Sequence, residues 1–316
     1  MTNETALRRA YPMIDGMGME ERNLSRIPHE CALRIQAVYY DLKTAERKAV
    51  DYMLEVPDQI PGLSIIEYAY RAGCSEATIV RLSKRLGYEG YPQLKHAFER
   101  ADANGDNDVG YHEIAKTDGP TTVLRKVFES ATSALEDTLR LLDAEQYTAT
   151  VDAIVRSDQM LVSGLGDAGV VATETGYRFS RLGKSCNTPT DPDLQLIYAS
   201  RLSEGDVFIG ISHSGRSAPI VDTAEVALEN GATVVAITNF PNSPLAKIAH
   251  YVLQTAVFTR TSTGEIMAKR IAQLSIVESL YVNYLMHDQD ATRNELLRSD
   301  LVVRRNKLGG RGDPHT

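Results

Sequence analysis

Six consecutive residues, Ser212-His213-Ser214-Gly215-Arg216-Ser217, crowd three hydroxyls and a glycine into one turn. The run before them, Val207-Phe208-Ile209-Gly210-Ile211, is apolar and rich in β-branched and aromatic side chains, so it reads as a strand covered on both faces of a parallel sheet. Ala218-Pro219-Ile220 then opens a helix, with proline in the first turn, where its missing N–H is not needed. Such a turn offers free backbone N–H groups, side-chain hydroxyls and the positive end of a helix dipole to one point in space. The guest this chemistry selects is an anion, above all a phosphate. In an open α/β sheet that point lies just beyond the carboxyl end of the strand. The competing reading is a serine-rich helix cap that holds no ligand.

A second glycine-rich turn, Gly164-x-Gly166-x-x-Gly169, follows the strand pattern Met160-Leu161-Val162-Ser163. Its spacing is that of a dinucleotide fingerprint, but that reading needs an acidic residue at the end of the next strand, and Asn187-Thr188-Pro189-Thr190 stands there. A turn that lets the backbone approach some other ligand is the better reading, and it faces the serine turn if the first and third strands are neighbours. No cofactor is expected. The Asp/Asn/Gly stretch near 102–110 lacks the spacing and terminal Glu of a calcium loop, and Cys31, Cys74 and Cys186 have no metal spacing between them. No metal is expected, and the cysteines read as reduced thiols of a cytoplasmic protein.

A third constellation lies between Leu63 and Tyr88. Ser64 caps a short helix that Gly73 ends, and Ser75 caps a second helix whose Ile79, Leu82 and Leu86 recur at three to four residues. Two short helices across a glycine-containing turn have the spacing of a helix-turn-helix. Ser75, Glu76, Thr78, Arg81, Lys84 and Arg85 fall off the apolar face of the second helix, so they could reach phosphates and base edges of double-stranded DNA. An ordinary helical hairpin is the alternative.

Composition bounds what can carry these turns. The chain has 316 residues, enough for two domains, with 43% hydrophobic and 24% charged residues, as in soluble globular proteins. No uncharged apolar run is long enough to span a bilayer, and the start has no apolar core of a secretory signal, so no membrane is expected. Residues 1–100 hold 14 basic and 14 acidic residues, whereas the remainder holds 20 against 28 and carries the whole net charge of −8. Within 71–100, six basic residues face three acidic ones, which leaves a modest basic surface near residue 80.

The elements follow from period and punctuation. Residues 1–28 have no sustained period and read as frayed. A helical pattern starts at Glu30, and a second helix, with Thr44 as cap and Arg47 where a capping box would want Glu, runs on to stop before Pro57. Residues 121–156 are helical, with Val123, Leu124, Val127, Ala131, Leu135, Leu139 and Leu142 in a stripe that should pack on the next domain or a partner subunit. Strands then alternate with helices: 160–163, 184–187, 207–211, 233–238 and 251–254, with a last helix from about Gly264 to Met286. The expected organisation is a helical DNA-binding domain over 1–100 with a helix-turn-helix near 63–88, a linker over 101–120, and a doubly wound parallel five-stranded α/β domain over 121–290. A C-terminal helix and disordered tail would occupy 291–316.

Long segments of the chain resemble the RpiR-type family of bacterial transcription regulators. In the first part the resemblance rests on Leu42-Lys43-Thr44-Ala45-Glu46-Arg47, on Gly73 through Tyr91, and on Leu94-Lys95. In the second it rests on Ile211 through Ser217, Gly231-Ala232, Ala236-Ile237-Thr238-Asn239, Ser243-Pro244-Leu245-Ala246 and Arg270-Ile271-Ala272-Gln273-Leu274, which are similar to the sugar isomerase (SIS) domain. The resemblance implies a phosphorylated sugar as effector, with phosphate on Ser212, Ser214, Ser217 and the Gly215 backbone. It implies sugar contacts from Gly164, Gly166, Asp167 and Glu265, a DNA-reading helix from Ser75 to Arg85, and a homodimer or homotetramer. Three positions depart from the family pattern: Ala168 replaces a usual serine, Asp193 stands where relatives carry histidine, and Arg216 adds a charge to the turn. The same fold also supports aldose–ketose isomerases, for which Glu174, His213, His250 and Glu265 are the available acids and bases.

Overall fold

The computed structural model describes residues 27–104, 114–257 and 267–306. The start up to residue 26 (which the sequence reads as frayed), Glu265, the stretch 105–113 and the tail 307–316 lie outside the described residues. By its contacts the chain divides into two compact units, and the division falls between Glu129 and Ser130.

The first unit contains α1 (His29–Val38), α2 (Thr44–Glu55), α3 (Ile65–Ala72), α4 (Glu76–Arg85) and α5 (Tyr91–Asn104). Its core gathers Ile35, Val50, Met53, Tyr68, Ile79, Leu82, Leu86 and Leu94, and the buried Tyr68 hydroxyl donates to Ala49 O at 2.8 Å. Helix α2 begins one residue earlier than its sequence suggests. Its cap is Lys43, whose N–H donates to Glu46 Oε2 at 3.0 Å, so Glu46 and not position 47 closes the first turn. Helix α5 continues past residue 100, where the linker was expected to begin.

Helical residues 121–156 form two helices, not one: α6 (Pro120–Leu141) and α7 (Ala144–Arg156). Asp143 interrupts them because its carboxylate accepts from the N–H groups of Glu145 and Gln146, both at 2.9 Å, and so starts a new helix. The buried face of α6 is polar, formed by Ser130, Ser133, Asp137 and Thr138 with Ala134, while Leu124 and Leu139 of the apolar stripe are 59% and 76% exposed. Leu142, at the end of the stripe, packs against the sheet core, whereas Leu124 and Leu139 turn outward.

The second unit is a five-stranded, all-parallel sheet in the order β2-β1-β3-β4-β5. Its strands are β1 (Gln159–Gly164), β2 (Ser185–Asn187), β3 (Val207–Ile211), β4 (Thr233–Thr238) and β5 (Tyr251–Gln254), linked by α8 (Asp167–Arg181), α9 (Pro192–Ala199), α10 (Ala218–Glu229) and the short α11 (Pro244–Ile248). Helix α12 (Ala268–His287) follows, and Asp288 then caps α13 (Gln289–Val303). Side chains of α7, α8 and α12 cover one sheet face around Val162, Phe179, Ile209 and Ile276, and those of α9, α10 and α11 cover the other around Phe208, Ile220, Ala224 and Leu245. The three central strands β1, β3 and β4 are largely apolar because both faces are dry, whereas the edge strand β2 is Ser185-Cys186-Asn187 and partly exposed. Phe179 is fully buried with its ring against Tyr281 and Tyr284. Phe179→Ala should lower the unfolding free energy by about 3–5 kcal/mol in urea denaturation, because α8 cannot collapse into the space left under α12.

Candidate functional site

The sheet order makes β1 and β3 neighbours, with Gly164 paired in register to Ile211. The chain moves outward from this pair in opposite directions, to β2 on one side and β4 on the other. This is the topological switch point, beyond which ligands of open α/β sheets bind. The turns after the two strands lie side by side there: Gly164–Asp167 leads into α8 and Ser212–Ser217 into α10.

Each turn is shaped by glycines. A Cβ on Gly164 would stand 2.5 Å from Ala168 O, so only glycine lets α8 start this close to the strand. Gly166 has φ +58°, a conformation side chains resist, and leads into Asp167 at the first position of α8. In the second turn Gly215 has φ +61°, and a Cβ there would meet Ser243 Oγ at 2.0 Å. Ser243, fully buried, caps α11 through Ala246 N–H, and Leu245 N–H donates to Gly215 O at 3.1 Å. The sequence assigned Ser243 no role in the site, although its Ser-Pro pair is a legible helix start.

The expected anion-binding residues share this turn. Ser212 is buried and its Oγ accepts from Gly215 N–H at 3.1 Å, while Ser214 Oγ accepts from Arg216 N–H at 3.2 Å. Ser217 is the N-cap residue of α10 yet makes no side-chain capping bond, so its hydroxyl is not spent on the helix it starts. Arg216 is exposed. Across the crevice Asp167 does not stand alone: its Oδ1 lies 3.4 Å from Arg270 Nε on α12. Ala168 is buried and Asp193 exposed at the start of α9, which Asp191 caps.

The candidate acids and bases separate. Glu174 is ion-paired to Arg178 at 2.9 Å. His250 sits at the opposite end of the sheet, where its Nδ1 accepts from Val234 N–H at 3.0 Å. His213 alone of the described candidates belongs to the turn. Its ring packs edge-on against Phe240, its Nδ1 is sealed from solvent without a hydrogen-bond partner, and burial, reinforced by the charge of Lys269, pushes its pKa down to about 3. A neutral imidazole donates or accepts hydrogen bonds at physiological pH but holds no exchangeable charge.

In the first unit, α3 and α4 meet across Gly73-Cys74-Ser75, with Gly73 left-handed at φ +65°. Ser75 Oγ accepts from Thr78 N–H at 3.2 Å and caps α4. Ser75, the cap, and Glu76, Arg81 and Lys84 of the helix are exposed. Thr78, expected off the apolar face, is instead 2% exposed, because its hydroxyl turns back to Ser75 Oγ at 2.9 Å and takes a bond from Arg81. Arg85 reaches away from the reading face: it pairs with buried Glu46 at 3.2 Å and donates to Asp41 O at 3.0 Å.

A helix-turn-helix unit followed by a parallel sheet with an anion-shaped crevice defines a ligand-responsive DNA-binding regulator. Residues 29–105 match the helix-turn-helix domain of the rpiR family, and residues 153–283 match the SIS domain. The HTH-type transcriptional regulator HexR of Pseudomonas aeruginosa is 32% identical over 247 residues, 78% of this chain and 86% of HexR. An uncharacterised HTH-type transcriptional regulator of Caldanaerobacter subterraneus is 33% identical over 75% of this chain and 84% of its own. Among solved structures, NanR of Vibrio vulnificus complexed with ManNAc-6P superposes with a TM-score of 0.58 at 25% identity, over 87% of this chain and all of that one. The chain belongs to the rpiR family of helix-turn-helix transcriptional regulators with a SIS domain. No helix among the described residues is long and apolar enough to cross a membrane.

Two outcomes test this geometry. The unfolded chain protonates a histidine near pH 6.5, but the folded His213 refuses the proton until about pH 3, so stability is lost as pH falls through this window. Thermal unfolding between pH 7 and 5 should show that slope, and His213→Asn should flatten it. Arg85→Ala should cost about 1–2 kcal/mol of stability in denaturant titration by stranding Glu46, discounted for the partly exposed arginine, whereas Lys84→Ala should leave stability unchanged.

Proposed function

We propose that the crevice between the Gly164–Asp167 and Ser212–Ser217 turns binds a phosphorylated sugar, and that its occupancy changes the affinity of α4 for an operator without turning the sugar over. The serine turn carries this reading: three hydroxyls, close-approach backbone and the start of α10 converge at the switch point. Phosphate sits on Ser212, Ser214, Ser217 and the Gly215 backbone, with Gly164, Gly166, Asp167 and Glu265 toward the sugar. The sugar-phosphate complex of the structural neighbour NanR supports the same ligand class. Ser75, Glu76, Arg81 and Lys84 contact DNA directly, and Arg85 and Thr78 hold the helix that presents them.

The separation of Glu174 and His250 from the crevice, with a neutral His213, supports binding over isomerisation, which needs a positioned acid and base beside the carbonyl carbons. The domain limits 1–100, 101–120, 121–290 and 291–316 belong to this reading, as does a cytoplasmic homodimer or homotetramer. The outward Leu124 and Leu139 of α6 support a partner subunit. Paired helix-turn-helix units would then read half-sites about one helical turn, roughly 34 Å, apart.

Fluorescence anisotropy on DNA from upstream of the protein's own gene, with a panel of phosphosugars followed for conversion, tests both halves. One phosphosugar should shift operator affinity by about 5–150-fold and remain unconverted. Arg81→Ala should weaken operator binding with sugar affinity intact. Ser214→Ala should weaken the sugar by ~1.5–3 kcal/mol, the worth of a charge-assisted hydrogen bond. Conversion of a sugar with no DNA binding would make the chain an isomerase.

A further inference from the structure

Resting on that reading, we infer that Asn239 and Thr138 are positioning residues that carry occupancy of the serine turn to helix α6. The path begins at the turn itself. His213 O, inside the anion-binding stretch, accepts from Asn239 N–H at 3.0 Å and from Thr238 Oγ1 at 3.2 Å, so the carbonyl end of β4 holds the turn by two donors. The Asn239 side chain, 1% exposed, faces the other way and is engaged at both ends. Its Oδ1 accepts from Thr255 Oγ1 at 3.0 Å and Val257 N–H at 2.9 Å, and its Nδ2 donates to Val257 O at 3.1 Å. Between those two anchored residues, Ala256 N–H donates to Thr138 Oγ1 on α6 at 3.0 Å.

From Thr238 onward the route is buried, and buried polar networks have few ways to rearrange without stranding a donor. A turn that closes on a phosphate therefore moves β4's end, the Thr255–Val257 segment and Thr138 together. Helix α6 is one unbroken run of 22 residues, whose residues 120–129 belong to the first unit and whose Thr138 belongs to the second. A hydrogen-bonded helix transmits displacement along its axis because each turn is bonded to the next. The polar buried face of α6 acquires a reason here. Thr138 docks the helix through a directional bond, which registers a shift where an apolar contact would slide.

Hydrogen-exchange mass spectrometry on the full chain, with and without saturating inorganic phosphate, tests the inference. Phosphate should slow exchange in 212–217 and in 120–141 of the wild type, the latter by about fivefold or more, as expected of a coupled site. Thr138→Val, nearly the same shape without the acceptor, should keep protection at the turn and lose it in α6, and Thr138→Ser should restore both. Protection confined to the turn in the wild type would overturn the relay and leave the anion site standing, as would α6 protection that survives in a folded Thr138→Val. No protection at the turn would overturn the anion site and the relay with it. The wild-type comparison decides even if the valine variant does not fold.

Discussion

The structure depends on one constraint, the reversal of strand order at β1 and β3. Two helices leave adjacent strands toward opposite faces of the sheet, and their first turns open on one crevice where no further strand can satisfy the backbone. Glycines at 164, 166 and 215 turn that deficit into a site, because they bring the main chain closer than any side chain would allow. At Gly215 the fit is tightest: the Ser243 hydroxyl occupies the space a Cβ would need, so turn and α11 are packed as one object. The crevice is thus a by-product of topology, bordered by a turn of three serines.

What the site does follows from what surrounds it. The described residues at the crevice are hydroxyls, backbone, an Asp167–Arg270 pair and an imidazole held neutral by burial. The helical unit shows a similar economy. Four exposed side chains face outward from α4, while Arg85 and Thr78 fix the helix against α2 and its own cap. The neutral first hundred residues keep the acidity of the remainder from dominating the surface near that helix.

Much of this was legible in the sequence because local signals and global fold agree. The strand at 207–211, its serine turn and the caps Ser64, Gly73 and Ser75 stand where spacing placed them. Alternation gave a parallel sheet but left open whether β1 and β3 are neighbours, which the strand order shows. Three features were not legible. Asp143 splits a helical run whose stripe looked continuous, since a cap's competing hydrogen bonds do not alter hydrophobic period. Thr78 and Arg85 sit at exposed-looking positions, but their partners are a cap hydroxyl and a buried glutamate 39 residues away. The inward face of α6 is the polar one, which is invisible to any count of apolar residues.

The three thiols add a property of a different kind. Burial pushes Cys31 and Cys186 to about 12 and raises Cys74, which lies in the turn between the two DNA-binding helices. Only the thiolate is reactive toward peroxides and electrophiles, and at neutral pH a thiol near 12 is ionised about once in 10⁵ molecules. The two thiols that burial raises to about 12 are therefore poor nucleophiles at neutral pH, whereas Cys74 is raised less and stays partly accessible in its turn.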